Sequence, residues 1–435
     1  MPNSTNPPSN LSQDLSQNDR FSLADFFGAF WQSAKHEWHF LSHHSWDFAM
    51  MFWLPIMLVF SVWWVFAKGS AIDLPIAVID NSHTAQSATL IRYIDATPEV
   101  NVVKQFYDTA TAKKAIEATE VYAVVEIPDD FSRQLLGQKS TRVLLNVNAQ
   151  FGTHSGMIQK GVQTAVSTFS AGAEMQRRVA KGEDTTLVRS SYAPIQTQTI
   201  TLFNAGNNYR QFLAVTVLPA LLHILSMVIG ASTVGRELRD KTLGEWYQDI
   251  SNKTQKNQHN QTIVFNEQNP KLWRIIAGLN GKLIAPMLAY ALWGAVVLVL
   301  ITQIFAVQLS ALLITYLIFL MFMMVSFWMG VIVTVGTFSY RQGLSFTGFI
   351  SAPSFAFSGV TFPYLAMSPA AQHWSNALPL THYLRMQTNQ LQMSAPISYA
   401  MPTFYGFFIA VIVSLLIASL LTKKALRTPQ KWGQR

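Results

Sequence analysis

Long uncharged apolar runs, rather than the short alternations of soluble elements, dominate the hydropathy pattern of this chain. The first, 49–67, reads AMMFWLPIMLVFSVWWVFA, nineteen residues without a charge. About twenty residues rising 1.5 Å each cross the hydrocarbon of a bilayer. Further runs over 211–234, 283–307, 310–336, 344–360 and 401–421 bring the expected number of transmembrane helices to six. The second contains Pro219 and His223; a proline is tolerated in a spanning helix where a neighbour satisfies the carbonyl it frees. The third and fourth read as a tight helical hairpin, and the fifth is short and soft, with Pro353 and many Ser and Gly. A cleaved leader fits the first run poorly, because 48 residues precede it and no basic segment adjoins it.

Between the first two runs, 68–210 alternates strand and helix patterns and predicts a folded α/β domain outside the membrane. Leu74 to Asp80 (LPIAVID) reads as a buried strand, Tyr122 to Ile127 as a second and Thr141 to Val147 as a third. Helices are expected at Ala85 to Ile94, Thr111 to Ala118, Asp130 to Leu136 and Ser155 to Lys181. Residues 1–20 are rich in Asn, Ser, Gln and Pro, a composition that predicts disorder. Residues 21–48 space Phe26, Phe30 and Trp38 for one helical face and predict an amphipathic helix in the membrane plane. The polar stretch 250–268 reads as a flexible insertion in the loop 235–282, and 361–400 as a loop region beyond the fifth run.

Composition and charge sharpen this picture. Charged residues make up 12% of the 435, against about 25% in soluble domains, which disfavours a cytosolic enzyme. The net charge of +8 is not a nucleic-acid signature, because it is carried by membrane flanks. Eight bases lie between the second and third runs and five in the tail 422–435, while the opposing short loops hold almost none. The positive-inside rule then puts both termini in the cytoplasm and 68–210 outside, in the periplasm of a Gram-negative cell. That segment holds fourteen bases and thirteen acids, and long translocated domains escape the rule. The absence of Cys removes disulfides and thiolate chemistry.

Catalytic motifs are missing. Gly278 to Lys282 reads GLNGK, which lacks the spacing of a phosphate-wrapping loop. His36, His39, His43 and His44 put three imidazoles near one helix face, but no acid sits at a matching spacing, so an interfacial polar face is expected rather than a metal site. His223 is an ionisable group inside a span, a position that is often functional; a neutral, hydrogen-bonded helix contact is the ordinary reading. The runs carry no carboxylate of the sort that ion-coupled carriers hold in the bundle. Uphill transport would therefore draw its energy from outside the bundle.

Several segments resemble, in order, the permease subunit of type-2 ABC exporters, in particular the group with a large periplasmic domain after the first span. They are AVIDNSHTAQSATLIRYI, VYAVVEIPDDFSRQLLGQKSTRVLLNV, Leu202-Phe203-Asn204 with Asn208-Tyr209-Arg210, Val234 to Glu245 (VGRELRDKTLGE), Ser358 to Pro363 (SGVTFP) and Asn376 to Tyr383 (NALPLTHY). The resemblance spans about residues 50 to 425. The chain departs from it at Lys241, where the family has Gly, and at Gly244, which splits the usual Leu-Glu pair.

The resemblance implies a polytopic α-helical membrane protein with six transmembrane helices and an inserted extracytoplasmic α/β domain, multi-pass in the bacterial inner membrane. It implies an ABC ATPase partner that holds ATP and Mg, no cofactor on this chain, a second permease copy or sister permease, a periplasmic adaptor of the membrane-fusion type, and membrane lipid around the helices. Arg236, Glu237, Arg239, Lys241 and Glu245 would form the ATPase-coupling segment; a solvated helix end is the ordinary alternative. His223, Phe357, Gly359, Phe362, Pro363 and Pro379 would line the translocation path and its outer gate, whose ordinary alternative is an amphipathic surface loop. Walls of Met, Phe, Leu and Ser suit a lipophilic or amphiphilic cargo. The competing readings are a non-transporting scaffold that recruits periplasmic partners, an exporter of a lipid-linked or polysaccharide precursor, and an integral-membrane enzyme.

Overall fold

A computed structural model describes residues 22–137, 139–182, 203–204, 207–251 and 269–433. The tail 1–20 and nearly all of the insertion 250–268 lie outside the described residues. The chain forms two compact units, Met1–Ala67 with Arg210–Arg435, and Lys68–Tyr209.

The first unit opens with α1 (Leu23–His43), α2 (Ser45–Met51) and α3 (Trp53–Val65). Helix α1 buries Ala29, Ser33, Glu37 and Leu41, one residue per turn on one face. The chain bends by 40° between α2 and α3. Pro55 explains the bend: it has no N–H to offer the Met51 carbonyl, and its ring crowds that group. The carbonyls at the bend are satisfied from another helix, Met51 by Trp293 Nε1 at 2.9 Å and Met50 by the Tyr290 hydroxyl at 3.2 Å.

The second unit contains β1 (Leu74–Asp80), α4 (Ala85–Asp95), β2 (Val100–Gln105), α5 (Thr109–Glu117), β3 (Ala123–Ile127), α6 (Phe131–Leu136), β4 (Leu144–Val147) and α7 (Gly152–Ala180). The strand order is β2-β1-β3-β4, with β1 parallel to both neighbours and β4 antiparallel to β3. Central β1 is buried on both faces, Ile76 and Val78 in one apolar cluster, Ala77 and Ile79 in another, as parallel strands covered on both sides are. Asp80 closes the strand: its Oδ1 accepts from the amides of Ser82 (3.0 Å) and His83 (3.1 Å), and its Oδ2 from the Ser87 hydroxyl (2.7 Å). Thr84 and Ser87 then form a reciprocal capping box that starts α4. The expected α/β domain is thus corrected to a small, open, mixed four-stranded sheet with helices beside it. Strand β2 was missed because only Val100 of VNVVKQ is fully buried, so its polar positions break the apolar run.

The first unit resumes with a π-helical turn, Arg210–Ala214, leading into α8 (Val215–Asp240), then α9 (Leu243–Ile250), α10 (Leu272–Thr302), α11 (Leu309–Thr337), α12 (Tyr340–Ser351), α13 (Ser354–Phe357), α14 (Pro369–Ala377), α15 (Pro379–Gln387) and α16 (Met401–Arg427). The expectation of six spans is corrected. Among the described residues four helices are long and apolar enough to cross a membrane, Arg210–Asp240, Leu272–Thr302, Leu309–Thr337 and Ile397–Arg427, and five if the bent α2–α3 pair counts as one. The run 344–360 fails because α12 stops at Ser351, just before Pro353, and α13 is a single turn. Twelve residues in α12 reach about 18 Å, short of the roughly 30 Å hydrocarbon core.

Candidate functional site

The segment from Arg236 to Glu245 divides into a buried part and an exposed part. Arg236 and Glu237 lie on the last turns of α8 and are buried. Helix α8 ends at Lys241, whose φ of +61° is left-handed, the conformation that glycine adopts most easily at a helix end. The amide of Thr242 donates to the Glu237 carbonyl at 2.9 Å, and α9 leaves in a new direction. This elbow exposes Arg239, Asp240, Lys241 and Glu245. Arg239 pairs with Asp240 at 2.8 Å.

Below the elbow sits a buried ionic network that joins four helices, α1, α2, α8 and α10. Lys282 of α10 is fully buried, with Nζ 2.6 Å from Glu237 and 3.4 Å from Glu37 of α1. Arg236 pairs with the same Glu37, lies 3.9 Å from Asp47 of α2, and stacks 3.8 Å over the Phe40 ring. Glu237 also accepts from the Thr242 hydroxyl, and Ser232 donates to Asp47 at 3.0 Å. Every charge has an opposite partner, the condition for burying ions without a large penalty. A neutral layer continues the contact: Trp246 Nε1 of α9 donates to Ser33 Oγ of α1 at 3.0 Å, and that hydroxyl donates to the Gly278 carbonyl of α10 at 2.7 Å. At Gly281 a Cβ would run into the Phe30 carbonyl, so glycine is what lets α10 approach α1.

Glu37, Asp47 and Lys282 were not recognised from the sequence as members of a site. The signal was GLNGK: it lacks phosphate-loop spacing, but its two glycines make room for α1 and α9 and its lysine ends in the network. Arg236 and Lys282 sit on helices that run past the apolar stretches 211–234 and 283–307, within Val215–Asp240 and Leu272–Thr302.

The residues assigned to an outer gate occupy two places. His223 is buried on α8, with Nδ1 2.7 Å from the Ser326 hydroxyl of α11 and its ring stacked on Phe322 at 5.2 Å. Phe322 stacks in turn on Tyr383 of α15 at 4.8 Å, and burial pushes the Tyr383 phenol above its ordinary pKa. Pro379 is buried in the first turn of α15, where its missing N–H leaves no bond unmade. Phe357 instead ends α13, and Gly359, Phe362 and Pro363 lie in the turn that follows it. There Gly359 has φ +83°, and the Phe357 carbonyl accepts from the Ser375 hydroxyl at 2.7 Å. Phe362 is exposed and Phe357 half-buried. Gln387 was missed altogether. Its Nε2 donates to the Val215 carbonyl at 3.0 Å, the carbonyl that Pro219, four residues later, leaves without its helical donor.

Four or five helices among the described residues, each long and apolar enough to cross a bilayer, mark a multi-pass membrane protein. Residues 46–247 match the sequence model of a family described as ABC-2 family transporter protein. The matched stretch runs from α2 through the sheet unit to the elbow, ending within α9. Permease subunits of that family are typically non-catalytic transport components. No curated protein matches the chain.

Proposed function

We propose that this chain is the permease subunit of an ATP-driven exporter, moving a lipophilic or amphiphilic substrate out of the cytoplasm or inner leaflet. The energy comes from a separate ABC ATPase that binds ATP and Mg. The permease pairs with a second copy or a sister permease in the bacterial inner membrane, with both termini cytoplasmic. Its sheet unit stands on the periplasmic side and meets an adaptor of the membrane-fusion type. The path is flanked by His223, and the turn from Phe357 to Pro363, with α15 from Pro379, closes it on the outer side.

The observation that carries this reading is the elbow. Arg239, Lys241 and Glu245 offer exposed charge to a partner, while Arg236 and Glu237 beneath them are fixed by ion pairs to α1 and α10. A push on the exposed charges is thereby delivered to three helices at once, which is what coupling to a separate motor requires. Buried Glu237 acts as an internal anchor in this scheme rather than as a docking contact.

The test is co-purification with a candidate partner ABC ATPase from the same cell and ATP turnover in liposomes, comparing the native chain with Arg239→Glu plus Glu245→Lys. Both positions are exposed, so the fold persists. Loss of the complex supports the coupling role; an intact complex with unchanged turnover refutes it.

A further inference from the structure

We infer that a groove between α1 and α10 binds one anionic phospholipid. This site is separate from the elbow and from the path proposed for cargo, and it does not depend on the exporter reading.

The groove is open and holds about 640 Å³, within the roughly 300–1,000 Å³ of small-molecule sites. Its walls are Trp31 and Trp38 of α1, Phe52 at the α2–α3 bend, and Leu288 and Leu292 of α10. Leu288 and Leu292 are 63% and 56% exposed on a helix apolar enough to cross a membrane, so they face hydrocarbon. Trp31 and Trp38 are 59% and 58% exposed, as indoles at the head-group level of a bilayer are. The groove therefore offers carbon where an acyl chain lies and indole where a head group begins.

Polar groups enter the lining from α1 at Lys35, His39 and Ser42. Ser42 already donates to the His39 carbonyl at 2.8 Å, and His39 and His43 sit ring to ring at 4.5 Å. Lys35 forms no ion pair among the described residues and is exposed. It lies four residues after Trp31 and three before Trp38, on the same helix face. An unpaired ammonium between two interfacial indoles, above an apolar groove, complements a lipid whose phosphate head group is net negative. A zwitterionic head group cancels most of that attraction. The opposite face of α1 holds Ser33 and Glu37 in the network beneath the elbow, so the occupant leans on the helix that braces the elbow.

The full-length chain in detergent would be titrated with dioleoyl phosphatidylglycerol, dioleoyl phosphatidylcholine or glycerol 3-phosphate, and bound molecules counted by native mass spectrometry. One phosphatidylglycerol should bind about fivefold more tightly than phosphatidylcholine, the scale of a single lysine at an anionic surface. Glycerol 3-phosphate should neither bind nor compete. Lys35→Gln should abolish the preference, and Lys35→Arg should keep it. Ala285→Trp, which fills the groove without touching the charge, should remove one bound lipid of either kind and keeps the test decisive if Lys35→Gln fails to fold. Equal binding of the two lipids by the native chain, a preference surviving in Lys35→Gln, or displacement by glycerol 3-phosphate would overturn the assignment. So would a second copy of the chain in the groove, seen as a dimer that Ala285→Trp dissociates.

Discussion

Arg236 and Arg239 carry the same charge three residues apart on one helix, yet they live in different solvents. Arg236 is buried against Glu37, Asp47 and the Phe40 ring. Arg239 lies in the open with only its neighbour Asp240 for an ion pair. Exposed pairs contribute about 0–1 kcal/mol, whereas breaking a buried pair costs about 3–5 kcal/mol because a charge is left stranded. One short stretch thus combines a rigid base with a replaceable surface. Stability lives in the first and the proposed docking contact in the second, and the change from one to the other falls between buried Leu238 and exposed Arg239.

The largest expected effect comes from attacking the base. Lys282→Met leaves Glu37 and Glu237 without their shared cation and should cost about 3–5 kcal/mol, read as a fall in thermal unfolding temperature in detergent. Gln387→Leu should rank next, at about 1–3 kcal/mol, because the Val215 carbonyl above Pro219 loses its donor inside the membrane unit. A loss of similar size is expected from Trp293→Phe, which strips the Nε1 donor from the Met51 carbonyl at the α2–α3 bend. Arg239→Ala should change stability by less than about 1 kcal/mol while weakening capture of the ATPase; a large stability loss there would erase the contrast. Smallest of all is Lys241→Gly. Relief of the left-handed backbone and the added chain entropy nearly cancel, each on the order of 1 kcal/mol, so melting should hardly move while ATPase capture declines.

Local patterns were legible in the sequence wherever a residue's neighbours decide its state. LPIAVID reads as a strand and is β1 with the same ends, because six consecutive apolar residues followed by a turn-forming acid leave little choice. The apolar stretches were equally plain, but their number was not. Whether 344–360 is one helix depends on Pro353, and whether Ala49 to Ala67 is straight depends on Pro55; hydropathy sums over both prolines. The candidate site was legible only in part. Arg236 to Glu245 stood out as a mixed-charge stretch, but nothing local separates the buried charges from the exposed ones. That division is made by Glu37 and Lys282, about 200 residues upstream and 45 downstream. Gln387 was invisible for the same reason, since its role is defined by a proline 168 positions earlier.

The natural absence of cysteine makes one measurement unusually direct. A single Glu245→Cys variant in inverted membrane vesicles can be labelled with a membrane-impermeant maleimide before and after addition of the ATPase. Rapid labelling of the free permease and strong protection by the ATPase are expected if the exposed side of the elbow is the docking surface. Labelling at the same rate with and without bound ATPase would contradict that claim, and the elbow would then be a structural brace alone.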